Sequence, residues 1–136
     1  MDDVVLNKVA TIERCVARVR EVHAGVHANL THDLLRQESI LLNLQRACEA
    51  AIDLAMHMVR KRRLGIPQES RDAFVLLGQA GLLPAPLAER MARMVGFRNV
   101  AVHDYTKLEL PIVRSIIEQR LTDFDELCRS ALDVAG

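Results

Sequence analysis

Tryptophan is absent from this 136-residue chain, and its aromatic residues are three phenylalanines and one tyrosine. Half of the residues are hydrophobic all the same, and they are mostly Leu, Val, Ile, Ala and Met. That mix suits helix-on-helix packing better than a sheet. Net charge is also absent, because 18 basic and 18 acidic residues cancel. The balance excludes the global field that steers strongly basic proteins, so any nucleic-acid binding has to use a local patch. Cys15, Cys48 and Cys128 are odd in number and widely separated, with no CxxC spacing. This excludes a disulfide framework and a cysteine-based zinc site, and fits small buried residues in a reducing compartment. Long apolar runs are missing too, since none approaches the roughly 20 residues a membrane span needs. No basic start followed by an apolar stretch marks a signal peptide. The expectation is a soluble, cytoplasmic protein with no membrane association.

What is present is helical periodicity. Val5, Val9, Ile12, Val16 and Val19 alternate steps of four and three, one stripe on a first helix. Gly25, Asn29 and Thr31 then predict a loop from about His23 to Thr31. Leu41, Leu44, Cys48, Ala51, Ala55 and Met58 repeat the pattern, widened by Ile40, Ala47 and Leu54. They predict a long helix from about Asp33 to Arg63. Its broad apolar face calls for two neighbours within the chain, or for one neighbour and a second subunit. A short helix is expected over residues 71–80, and a fourth carries Leu87, Met91, Met94 and Val95. A last helix starts near Pro111, with Val113, Ile117, Leu121, Phe124, Cys128 and Ala131 on one face. No strand alternation, internal repeat or low-complexity segment interrupts this pattern. The expected architecture is all-α, a single domain over residues 1–136, folded as an up-and-down bundle of four to five helices.

The fourth helix runs into GFRNVAVHDY, residues 96–105, where hydrogen-bonding side chains crowd together. Asn99 and His103 stand four apart and share a helix face, and a long arginine at 98 can reach around the helix end. Histidine exchanges a proton near neutral pH. Arginine keeps its charge and matches a phosphate with two parallel hydrogen bonds. Together they suit attack at phosphorus, and in RNA the neighbouring 2′-hydroxyl supplies a nucleophile without a metal. One histidine in this cluster is awkward for a reaction that profits from an acid and a base, and a twofold dimer would supply the second. The same residues also fit a purely structural role. His103 near a helix C-terminus favours the dipole, and Arg98 can cap carbonyls or pair with Glu89 or Asp104. From residue types and spacing, both readings stay open.

Other candidates are weaker. Arg60, Lys61, Arg62 and Arg63 close the long helix, either as contacts for RNA or a partner, or as cations that complement its dipole. His23, His27 and His32 lie near one another, but their spacing and the lack of a nearby cysteine make a poor metal set. His57 reads as a partly buried or edge histidine. Glu38, Glu49 and Asp53 read equally well as a solvated face.

The fuller string RNxxxHxY (Arg98, Asn99, His103, Tyr105) resembles the signature of the HEPN superfamily, and within it the HepT-type toxins. The likeness extends to QRACEAAIDLAMHMV, to GLLPAPLAERMARMVGFRN and to the closing helix, so it covers essentially the whole chain. It implies a helical bundle that forms a homodimer, with two motifs meeting in a cleft. It also implies a metal-independent endoribonuclease that needs no cofactor. Arg98 and His103 would be catalytic, with Asn99 and Asp104 supporting them. The cognate antitoxin, a minimal nucleotidyltransferase, would attach AMP to Tyr105 and so block RNA by bulk and charge. The alternative is a non-catalytic helical adaptor that binds a nucleotidyltransferase or nucleic acid. Adaptors of this kind often lose the arginine or histidine, and both are present here.

Overall fold

The computed structural model describes residues 2–96 and 110–135. Among them all regular structure is helical: α1 (Asp3–His23), α2 (Ala28–Thr31), α3 (Leu34–Arg62), α4 (Ser70–Gln79), α5 (Ala85–Met94), α6 (Leu110–Gln119) and α7 (Leu121–Ala135). Asp2 starts α1 by accepting hydrogen bonds from the amides of Val4 and Val5 at 3.0 and 3.2 Å, the usual service of an N-cap carboxylate. Ala24 ends it in the left-handed region at φ 52°, and Gly25 follows with φ 71°, a conformation that glycine adopts without strain.

The stripe predicted on α1 is buried at every position, and so is each apolar residue predicted to line α3. At about 1.5 Å per residue, the 29 residues of α3 span some 43 Å. Asp33 caps its start by accepting from the Arg36 amide at 3.1 Å, and Arg63 closes its end with φ 55°. Its broad apolar face is covered from within the chain. α1 packs along it, with α4, α2 and α7 against the remaining sides. The Ala and Cys positions matter here, because short side chains let neighbouring helices approach closely.

Two expectations change. The loop from His23 to Thr31 contains the single turn α2, which buries Leu30 completely. The last helix is two helices, broken at Arg120. The Arg120 amide still bonds to the Ile116 carbonyl at 2.9 Å, but the Asp123 amide bonds three residues back to Arg120 at 3.0 Å. The break changes which residues face inward, so that Val113 and Ile116 are buried on α6 while Ile117 is only half-buried. Leu121, Phe124, Leu127, Cys128 and Ala131 are buried on α7. The two halves serve different neighbours: α6 lies against α2, and α7 lies against α1, α3 and α5. One straight stripe could not satisfy both. The added turn and this split raise the expected four to five helices to seven among the described residues.

α4 and α5 approach each other closely at Gly78. A Cβ built on Gly78 would lie 2.7 Å from the Ala88 Cβ, closer than two methyl carbons tolerate. Gly78→Ala is therefore expected to force the helices apart and destabilise the protein by about 1–3 kcal/mol, despite alanine's better helix propensity. Denaturant titration checks this, and a variant as stable as the parent would refute the close-contact account.

Candidate active site

α5 leads into the polar string. Pro84 and Pro86 set its start, where a missing amide hydrogen costs nothing. Leu87, Ala88, Met91 and Met94 seat it in the core, and Val95 just beyond it is also buried. Arg98, Asn99, His103, Asp104 and Tyr105 themselves lie outside the described residues, and the structure speaks only to what surrounds the approach to them.

Sequence reading missed a polar tie between α5 and α7. Arg90 donates from Nε to Asp123 Oδ1 of α7 at 3.0 Å, and its Nη2 stands 3.6 Å from Glu126 Oε2. Asp123 is only 3% exposed, and its second oxygen has no partner among the described residues. The two residues are 33 positions apart, so helical periodicity carries no signal of the pair. Glu89 pairs with Arg93, four residues on, which gives it a partner other than Arg98.

Arg71 and Arg93 were likewise not singled out from the sequence. They line two adjoining hollows of about 460 and 450 Å³, the first between α4 and α5 and the second reaching Ile52 of α3. The first has an apolar wall that includes Val75, Gly78, Ala85, Ala88 and Ala92. The second extends from Ser70 to Gly96, and Gly96 is two residues before Arg98.

The basic run at the end of α3 divides. Lys61 Nζ lies 2.9 Å from Asp2 Oδ2, and Arg62 Nη2 donates to the Val134 carbonyl at 3.2 Å. Arg60 and Arg63 are exposed. His57 is half-buried, with Nε2 at 2.7 Å from the same Asp2 oxygen. Lys61 first, and then His57, hold the Asp2 carboxyl far below its ordinary value of 3.8. A depressed carboxylate stabilises the fold above its unfolded-state pKa and loses that contribution as pH falls toward its folded one. Asp2→Asn is therefore expected to lower Tm at neutral pH, with the gap to the parent closing as pH drops below about 4. Thermal melts across that range test it, and a gap that stays constant would refute the linkage.

The remaining titratable candidates have structural settings. His23 is 6% exposed, and burial, with His27 close by, pushes its imidazole down from the ordinary value. His32 Nδ1 meets the Thr31 hydroxyl at 2.7 Å. Asp53 pairs with Lys8 at 3.1 Å, Glu49 accepts from Gln45 at 3.4 Å, and Glu38 is exposed. Among the described residues no three His, Cys, Asp or Glu side chains converge to hold a metal ion. No described helix is long and apolar enough to cross a membrane. All three cysteines are buried, and no disulfide joins them. Burial pushes the Cys128 thiol up to about 12, where it is unreactive at neutral pH.

Comparison with known proteins adds the rest. The family model described as "Ribonuclease HepT-like" matches residues 12–131. An mRNA nuclease HepT from Shewanella oneidensis is 48% identical over 126 residues, covering 93% of this chain and 94% of that protein. A tRNA nuclease HepT from Aphanizomenon flos-aquae is 35% identical over 66 residues, 48% of this chain and 45% of that one. Among solved structures, a tri-AMPylated HEPN toxin of Shewanella oneidensis in complex with its MNT antitoxin superposes with a TM-score of 0.91. It is 45% identical, and the match covers 98% of this chain and 99% of the toxin.

Proposed function

The chain belongs to the ribonuclease HepT-like family, and from that membership we propose that it is the toxin of a toxin–antitoxin pair. In this reading it is a cytoplasmic, single-domain, metal-independent endoribonuclease, restrained by nucleotide transfer to Tyr105. The observation that carries the proposal is a whole-length likeness to nuclease toxins in a chain that keeps RNxxxHxY at residues 98–105.

The chemistry follows from the residue types. The 2′-oxygen of one ribose attacks the adjacent phosphorus, and the bond from phosphorus to the 5′-oxygen breaks. The products are a 2′,3′-cyclic phosphate and a free 5′-hydroxyl. His103 takes the 2′-hydroxyl proton or returns one to the departing 5′-oxygen. Arg98 binds the phosphate and the negative charge that grows on its non-bridging oxygens. Asn99 and Asp104 orient these groups.

A homodimer provides both a base and an acid by bringing two His103 side chains to one cleft. Leu35 and Leu42, two turns apart on α3, are 80% and 40% exposed in the single chain, apolar area that a second copy would cover. In antitoxin control the Tyr105 oxygen attacks the α-phosphorus of ATP on a partner nucleotidyltransferase, pyrophosphate leaves, and AMP stays on the tyrosine. A relative that carries three AMP groups in complex with its antitoxin supports this assignment. Arg60 and Arg63 are the members of the basic run free to meet RNA or antitoxin. Lys61 and Arg62 also keep their partners within the chain.

The test is incubation of defined RNAs with purified protein in EDTA, after mass measurement has established that Tyr105 is unmodified. Cleavage that leaves 2′,3′-cyclic phosphate ends is the expected result. No cleavage of mRNA or tRNA by the unmodified protein would replace the enzyme by the adaptor.

A further inference from the structure

We propose that the α4–α5 groove holds one nucleotide of the RNA chain beside the phosphate that is cut, with Arg71 and Arg93 gripping its phosphate. This rests on the ribonuclease reading above, and adds to it a path for the substrate. Three observations point to it.

The first is position. The two hollows share Arg71, Ala92 and Arg93, so they form one groove, and Gly96 lies at its end. Gly96 stands two residues before Arg98 in the sequence, so the groove ends on the segment that leads into the proposed phosphate-binding arginine.

The second is shape. Gly78 and Ala88 bring the helices close together, and Ala85, Ala88, Ala92 and Val75 leave a shallow apolar shelf. A shelf of small side chains accepts the flat face of a base without reading its edges. That suits an enzyme for single-stranded RNA, whose bases are free to splay out.

The third is charge. In a chain of zero net charge, RNA has to find local cations, and the groove offers Arg71 and Arg93 beside the two carboxylates Glu69 and Glu89. The Arg71 and Arg93 side chains are 70% and 73% exposed. Their partners, Glu69 and Glu89, hold them only through exposed ion pairs, which contribute little and exchange readily for a phosphate.

The experiment measures binding of a single-stranded RNA oligonucleotide to His103→Ala protein, which keeps the RNA uncut, at several salt concentrations. Arg71→Gln and Arg93→Gln added to that background should each weaken binding roughly five- to tenfold. Each should also flatten the plot of log affinity against log salt by about 0.7. Arg93→Lys should keep most of the affinity, since it keeps the charge, and Glu89→Gln should tighten binding by freeing Arg93. Arg18→Gln removes an exposed charge from α1 and serves as the charge-matched control, with no change expected.

Parental affinity and salt slope in the Arg71→Gln/Arg93→Gln protein would overturn the groove. If active protein still cuts RNA in EDTA in that case, the ribonuclease reading stands and only the path is wrong. If the parent protein neither binds nor cuts RNA, both proposals fall together.

Discussion

His103→Ala is expected to slow RNA cleavage by about 10²- to 10⁴-fold, the range that a positioned acid or base contributes. Arg98→Ala should cost about 10²- to 10³-fold, the range for a lost donor to developing charge. The two losses should not multiply, because a proton relay without a held phosphate has little to act on. The measurement is single-turnover cleavage in EDTA at saturating RNA, with circular dichroism and sizing to show that each variant is folded and keeps the parental oligomeric state. In a dimer with a composite cleft, mixing His103→Ala with Arg98→Ala subunits has a further consequence. A mixed dimer holds a single His103 and a single Arg98 in the shared cleft, so it should stay well below the parental rate. Cleavage at the parental rate by a folded His103→Ala protein would remove this histidine from the chemistry and leave it the role of completing a helix end.

Arg90→Met should be the most damaging single change away from the motif. It leaves the Asp123 carboxylate, 3% exposed, without its cation, and an unpaired buried charge costs several kcal/mol. Arg90 is itself part-exposed, at 29% of its side chain, so water partly compensates and the low end applies, about 3 kcal/mol. For a chain of this length that is a fall in Tm of roughly 10 °C, to be compared at one fixed protein concentration, because a dimer's Tm depends on it. Replacing both partners, as Arg90→Met with Asp123→Leu, should recover most of the loss, since apolar groups of similar size often replace a buried pair at little cost. An unchanged melting temperature in the single variant would mean that the pair contributes nothing to the union of α5 with α7. α5 also carries the chain into Arg98, so the single variant should lose cleavage activity at temperatures well below its Tm, as the helix loosens at that end.

Much of the helical content could be read from residue spacing. The apolar steps of three and four that run through α1 and α3 report local backbone geometry, and every apolar position on those stripes is buried. Leu87, Met91, Met94 and Val95 follow the same logic. Gly65 and Pro67 fall in the break between α3 and α4, and Ser70 is the first residue of α4. Its helix begins with Glu69 and Asp72 bonding to each other's backbone amides, an arrangement that spacing alone did not bring out. The candidate motif was legible for the same reason as the long stripes, since Arg98, Asn99, His103 and Tyr105 lie within eight residues and need no tertiary information to be seen together.

Periodicity misled at Arg120, where an unbroken stripe put Ile117 inward and the folded chain buries Ile116. Sequence spacing describes one helix against one flat neighbour, whereas α6 and α7 meet different neighbours and must turn between them. The Arg90–Asp123 pair and the contact of Gly78 with Ala88 had no local signature at all. The groove lined by Arg71 and Arg93 comes into being only when α4 and α5 pack. Residue types and their spacing constrain what one segment will do on its own. Which charges are buried together, and which hollows remain open between helices, depends on how separate segments fill space against each other, and that is settled by volume and by distance across the core.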